Sequence, residues 1–364
     1  MRALTVPFRA APGQGEGDRS RQGMFVLCAL VVLLFASTLM SLSSGPTGVG
    51  FAELWAYASG RSQDLSAQDL VVLEAVRLPR TGLGILVGAG LAVSGAMMQG
   101  LFRNPLADPG IVGVTSGAAL AAVVAIVLGP TLLAPLALIF GNQFLPLMAF
   151  CGALINTWVL YLIATQDGRT STTALILSGI AIGALSAAVM GLMIFLADDR
   201  QLRDITFWSL GSLGGATYGR VFSILPFVAG VLLVIPFVAR GLDALVLGDA
   251  AAFHMGVPVQ RLKKIVIIAV AAACGSTVAV AGSIGFVGII VPHLLRLVMG
   301  PSHRFLLAGS ALGGGALLLI ADSVARTIAA PAELPIGVIT ALFGAPVFLL
   351  LLLGKGGIRM RDMP

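Results

Sequence analysis

The stretch RLPRTGLGILVGAGLAVSGAMMQGLFRNPLADPGIVGVTSG, Arg77–Gly117, decides the fold. Its apolar run, Leu78–Phe102, lies between an arginine pair and an Asn-Pro-Leu loop. A run of this kind, on the order of 20 residues or more, crosses a bilayer. Its frequent glycines and alanines suit a helix packed against other helices rather than one facing lipid alone. The arginine pair is not the usual anchor of a single span and reads as a docking surface.

Composition agrees with a membrane chain. Of the 364 residues, 58% are hydrophobic and only 10% charged, where soluble domains carry about 25% charged residues. That much apolar surface cannot be hidden in a soluble core, which predicts an all-α polytopic membrane protein. The 46 glycines follow no three-residue period and fall inside apolar runs, so they read as helix contacts rather than collagen. The net charge of +6 lies between the spans, where it orients the chain. Nucleic acid is not an expected partner. Cys28, Cys151 and Cys274 are far apart in apolar runs. They predict neither a disulfide framework nor a metal site.

Ten apolar runs follow the polar N-terminal segment 1–22. They are Met24–Leu42, Leu78–Phe102, Gly110–Leu128, Phe144–Ala164, Ala174–Leu196, Val221–Ala239, Ile265–Ala281, Phe286–Met299, Phe305–Ile328 and Leu334–Leu353. The expected organisation is a cytoplasmic tail over 1–22, a transmembrane domain over 23–355 and a cytoplasmic tail over 356–364. The first run is longer than a signal-peptide core and reads as a retained helix. Phe286–Met299 is short and contains Pro292, which suggests a broken or partial helix buried in protein. With the N-terminus inside, 15 of the 22 lysines and arginines fall on the inner side and 7 on the outer. That bias fits the positive-inside rule and places both termini in the cytoplasm.

Three segments between spans are long enough to fold. Phe51–Gly60 suits an interfacial helix with Trp55 and Tyr57 at headgroup level, and Asp198–Gly219 is a second outer amphipathic candidate. On the inner side, Gly241–Lys264 is helix-prone up to Met255, then interrupted by Gly256 and Pro258. A faint internal echo, LAVSGA at Leu91 and VAVAGS at Val278, would fit a repeat.

The chain shows no energy source of its own. A phosphate-binding Walker loop ending at Gly354-Lys355 would need glycine at 349 and serine or threonine at 356; leucine and glycine stand there. No line of mid-span carboxylates provides a proton or sodium relay. Catalytic residues, metal ligands and a resident cofactor are not expected. His293 follows Pro292 and reads as a side chain satisfying a helix break. A passive pore, or a pore driven by a separate subunit, remains.

Four motifs then narrow the choice: RLPRT, NPLADPG, GSIGFVGIIVPHLLR, and D-x-x-x-R followed by AELPIGVITALFGAPVF. Together they resemble the FecCD-type, BtuC-like permeases. These are the membrane subunits of binding-protein-dependent ABC importers for ferric siderophores, cobalamin and heme. The resemblance covers Arg77–Leu353, and its wording is closest to the heme permeases. It implies a bacterial inner-membrane homodimer of ten-helix protomers with a translocation path on the two-fold axis. It also implies two ATPase subunits inside, holding ATP and Mg, and a periplasmic binding protein outside.

The resemblance assigns residues by position. Arg77, Arg80 and Arg326 would pair with glutamates of the binding protein; interfacial snorkelling is the alternative reading. Arg77 and Arg80 share a helix face at a helix start where Pro79 suits the first turn. Gly248, Asp249, Ala250, Ala251, Ala252, Phe253, His254, Met255 and Gly256 are similar to the coupling helix that enters the ATPase, with the small alanines allowing close approach. An ordinary surface loop is the other reading. Ser171, Thr172 and Thr173 match the cytoplasmic gate, with Asn104 and Leu106 as a second layer, while helix capping also accounts for the hydroxyls. Met190 and Met193 could touch a porphyrin on the path helix or simply pack in the core.

Overall fold

Glycines and alanines along Leu78–Phe102 leave one helix with almost no side-chain girth, so other helices can press onto it from all sides. The computed structural model shows this arrangement. It describes residues 16–45, 49–330 and 332–353. Among these residues fifteen α-helices follow one another. They are α1 (Glu16–Ser43), α2 (Phe51–Ala58), α3 (Ala67–Val71), α4 (Leu78–Phe102), α5 (Val114–Leu128), α6 (Ala134–Phe140), α7 (Phe144–Ala164) and α8 (Thr172–Leu196). The rest are α9 (Asp199–Leu210), α10 (Tyr218–Leu245), α11 (Asp249–His254), α12 (Val259–Ala281), α13 (Val287–Met299), α14 (His303–Ile328) and α15 (Ile336–Leu353).

The membrane-spanning expectation is met. Among the described residues, seven helices are long and apolar enough to cross a bilayer, and Val114–Leu128, Val287–Met299 and Ile336–Leu350 are shorter apolar helices. Together these correspond to the ten apolar runs. Among the described residues the fold is all-α apart from a two-residue ladder, β1 (Thr165–Gln166) with β2 (Arg169–Thr170). Asp167 and Gly168 between them both have positive φ, the geometry of a tight hairpin turn. The interfacial candidates also form helices: α2 carries a largely exposed Trp55, and α9 starts with a capping box between Asp198 and Gln201.

The bundle is built around α4, whose apolar window is 83% buried. Its most extensive neighbour is α14, with α10, α12 and α13 on its other sides. At Gly88 the backbone of α14 is so close that a Cβ would collide with the Gly314 carbonyl. At Gly95 a Cβ would collide with the Gly288 carbonyl of α13. The second contact has a sequence cause. Pro292 has no N–H to give the carbonyl four residues earlier, which is that of Gly288. That carbonyl faces Gly95 instead. The first helix belongs to the same assembly: α1 lies along α14, with Leu30 and Leu34 beside Gly309, Gly313 and Gly315.

Several boundaries differ from expectation. The helix α1 begins at Glu16, so part of the expected tail over 1–22 is helical. The tail expected over 356–364 lies outside the described residues. Helix runs without a break from Ala67 to Phe102, and Pro79 therefore does not sit in a first turn. A π-turn at Val72–Arg77 immediately precedes it. The wider turn absorbs the hydrogen bond that a proline cannot make. Likewise α13 is short but unbroken, with Pro292 inside it. His293 consequently has no break to satisfy, and its Nδ1 lacks a hydrogen-bond partner among the described residues. The helix α10 continues to Leu245, which shortens the inner segment. LAVSGA stays inside α4 whereas VAVAGS ends α12 at Ala281, so the two echoes do different structural work.

Replacing Gly95 by valine should lower stability by about 3 kcal/mol or more, because two backbones would have to separate. Gly230→Val is the control, since a Cβ there meets nothing within 4 Å. Thermal unfolding in detergent should show a large fall in midpoint for Gly95→Val and little change for Gly230→Val. Equal midpoints would remove the close-packing account.

Candidate functional site

Two polar constellations stand at opposite ends of α4. The first gathers all three expected docking arginines. Asp322 on α14 is 1% exposed and holds two of them. Arg80 reaches it with Nη2 at 2.9 Å and Nε at 3.1–3.2 Å, and Arg326, one helical turn on, with Nε at 3.0 Å. Arg80 also donates through Nη1 to Glu333 at 2.8 Å. Arg326 donates to the carbonyls of Ser44 and Ser41 at 3.1 and 3.2 Å, and Arg77 donates to the Leu42 carbonyl. The end of α1 is thereby fastened to α4 and α14.

Arg77, Arg80 and Arg326 are brought together, but none is an exposed cation, being 3%, 6% and 5% exposed. Desolvating three guanidinium groups is costly unless acceptors surround them, and the fold supplies two carboxylates and several carbonyls. Glu53 of α2 also acts electrostatically on Arg77, so acids stand near all three guanidinium groups. Glu333 is the accessible member, its side chain 40% exposed. Sequence reading had Asp322 in the D-x-x-x-R motif but assigned neither it nor Glu333 a role at this site. The four-residue spacing of Asp322 and Arg326 on a helix was the available signal.

The second constellation lies beyond the other end of α4. The segment Gly248–Gly256 forms the short helix α11 between α10 and α12, closed by Gly256 at φ +83°. Phe253 and Met255 are 69% and 61% exposed, and Val246 and Leu247 beside them are also uncovered. Ala250 is exposed and Ala251 half-buried. Ala252, expected among the partner-facing residues, is fully buried and packs into the bundle. His254 is exposed. Asp249 is bound by Lys263 of α12, Nζ to Oδ2 at 2.6 Å. The same ammonium donates to the Thr170 carbonyl at 3.0 Å.

Thr170 leads directly into the expected gate. Ser171 caps α8, its hydroxyl accepting from the Ala174 N–H at 3.2 Å, so the capping account holds for this residue. Thr172 and Thr173 occupy the first turn and are half-buried and exposed. In the Asn-Pro-Leu loop, Asn104 is exposed and folds back on its own loop, Oδ1 accepting from the Leu106 N–H at 2.9 Å. Leu106 is half-buried. The loop continues through Asp108, whose Oδ1 accepts from Gly110 N–H at 2.7 Å. Burial pushes the Asp108 carboxyl above its ordinary value, against the pull of that hydrogen bond. The following turn, Pro109–Val112, presses on α8, where a Cβ at Gly179 would strike the Ile111 carbonyl.

The helix α8 is the least covered of the spans, with 6% of its apolar window buried. Met190 and Met193 pack with Val123, Val127 and Ile205, which favours the core-packing reading. No group of histidine, cysteine and acidic residues able to hold a metal occurs among the described residues.

Residues 32–354 match the model of the FecCD transport family. This chain belongs to that family. It is 41% identical over 334 residues to the hemin transport system permease protein HmuU of Yersinia pestis, covering 91% of this chain and 96% of HmuU. It is 43% identical over 333 residues to the cobalamin import system permease protein BtuC of Halobacterium salinarum, covering 90% and 87%. A solved inward-facing structure of a transporter assigned to the metal-chelate ABC type superposes with a TM-score of 0.78. It is 31% identical and matches 90% of this chain and 98% of that one. The chain is thus an ABC-importer permease of the FecCD and BtuC type.

Removing Asp322 should be far more damaging than removing the charge of Glu333. Asp322→Ala leaves two buried guanidinium groups short of their main acceptor, a loss of about 3–5 kcal/mol. Glu333→Gln acts at a half-exposed pair and should cost about 1 kcal/mol or less. Thermal unfolding of the purified variants would rank them. The reverse order would contradict the assignment of Asp322 as the hub.

Proposed function

We propose that this permease imports a large metal chelate as a homodimer, with the arginine end outside, α11 inside and both termini cytoplasmic in a bacterial inner membrane. The excess of lysine and arginine on the α11 side supports the orientation. The observation that carries the reading is α11 itself. It presents Phe253 and Met255 uncovered at the end of the bundle rather than on a span. Apolar side chains gathered in such a place suit a protein partner, and in this family an ATPase subunit holding ATP and Mg is that partner. Two copies of the permease would carry two ATPase subunits.

The second copy would cover α8. Gly183 and Gly191 on this helix have open space where a Cβ would stand, and small residues without a partner suit a close helix contact. Ser171, Thr172 and Thr173, with Asn104 and Leu106, would then ring the inner end of a path between the copies. A periplasmic binding protein would dock on the Arg77–Arg80–Arg326 end. There its carboxylates would compete with the half-exposed Glu333 for Arg80.

Heme is the first reading for the cargo, supported by the motif wording and by the likeness to HmuU. Cobalamin is the second, supported by a relative of similar identity. Growth of a deletion strain with heme as sole iron source, a ferric siderophore as sole iron source, or limiting cobalamin separates the cargo classes. Loss on heme alone, restored by the intact chain, is the expected result; loss on cobalamin or siderophore alone would replace the cargo. For the docking surface, Phe253→Asp should abolish copurification of the ATPase subunit while leaving the permease in the membrane. Undiminished copurification would remove α11 from that role.

A further inference from the structure

The ammonium of Lys263 touches both α11 and Thr170, the residue before the cap of α8. We propose that Lys263 is a positioning residue that transmits displacement of α11 to the start of α8. This rests on the reading of α11 as the ATPase contact and of Ser171–Thr173 as the gate.

The geometry is specific. Lys263 lies in the second turn of α12 and is 2% exposed, whereas its neighbour Lys264 is exposed. Its Nζ donates to Asp249 Oδ2 at 2.6 Å and to the Thr170 carbonyl at 3.0 Å. One turn earlier, Gln260 Oε1 accepts from the Thr170 N–H at 2.8 Å. Both backbone polar groups of Thr170 are therefore held by α12. The turn behind them is short and closed: Thr165 and Thr170 share a hydroxyl contact at 3.0 Å across β1 and β2. Thr170 is followed at once by Ser171, the cap of α8.

A buried ammonium keeps its acceptors, because no water replaces them. If α11 shifts, Asp249 moves with it, since it is the first residue of that helix. The ammonium then either follows and draws on the Thr170 carbonyl or loses one bond. Asp249 has a half-exposed side chain, so it can move within its pair while Lys263 cannot leave. A nearby cavity lined by Arg169, Asp249, Phe253 and Gln260 leaves room on the α11 side for that movement. Sequence spacing would not have found the link, since the groups are 14 and 93 residues apart.

The test uses the complete transporter, permease with its ATPase and binding protein, reconstituted in liposomes. ATP hydrolysis and cargo uptake are measured together. Lys263→Met fills the same space without donors. The expected result is hydrolysis retained within about twofold while uptake per ATP falls about tenfold or more, with Lys263→Arg restoring much of the ratio. An unchanged ratio in Lys263→Met would overturn the proposal. If Lys263→Met does not assemble, Asp249→Ala is read instead. It frees α11 but leaves Lys263 on Thr170, and a normal uptake per ATP there is equally fatal. Phe253→Asp is measured in parallel. Intact ATPase association in that variant would show that the reading of α11 has failed, whereas lost association with a normal ratio in Lys263→Met would fail the relay alone.

Discussion

Backbone contact between α4 and its neighbours is the constraint on which the rest of the bundle depends. In lipid, an apolar side chain gains little by leaving its surroundings, so helices hold together by close packing and by polar contacts. Gly88 against Gly314 and Gly95 against Gly288 bring backbones together where no side chain intervenes. The second of these needs two departures from ideal helix chemistry at once: a glycine on α4 and a proline on α13 that frees a carbonyl. With α4 fixed between α14 and α13, its two ends are fixed as well, and each end carries one of the polar constellations.

At those ends the same electrostatic arrangement recurs. Arg80, Lys263 and His303 are each almost fully buried, and each is paired with an acid whose side chain is about two-fifths exposed: Glu333, Asp249 and Asp243. The basic partner is held by the packing of a helix. The acid sits at a helix start (Asp249), in a loop (Glu333) or in the last turn of a helix (Asp243), within reach of water. Asp243 adds a second bond, to the His303 N–H at 2.8 Å, which satisfies an otherwise unpaired donor at the start of α14. Arg80–Glu333 and His303–Asp243 join segments far apart in sequence, whereas Lys263–Asp249 joins the consecutive helices α12 and α11.

The spans were legible because their signal is local. Leu78–Phe102 and Phe144–Ala164 coincide with α4 and α7, since length and hydropathy need no knowledge of neighbours. Helix ends were less legible where the chain leaves the bilayer. Ala67–Arg77 and Glu16–Gln22 are polar enough to read as loop, yet they continue a helix already nucleated by the span. The arginines were found as a group because motif and charge mark them. Their burial was not, because it depends on Asp322 and Glu333, more than two hundred residues away from Arg80. Lys263 was counted as one more inner positive charge. Only the turn of α12 distinguishes it from Lys264.

These pairs change what docking at either end has to accomplish. A free surface arginine would attract a partner's carboxylate by simple charge, a contribution that salt screens readily. Here the cations cannot come to the surface, because their guanidinium and ammonium groups hold the ends of α1, α4, α12 and α14 in place. What a partner can reach is the half-exposed acid. On the proposed reading, a carboxylate arriving at this end would compete with Glu333 for the Nη1 position of Arg80. A surface arriving at α11 meets Phe253 and Met255 and moves Asp249 with them. In both proposed cases the buried cation would stay put and its acid partner would be exchanged or displaced. Recognition at the surface would thereby be converted into a change in the polar contacts that join the helices, without exposing a buried charge to lipid.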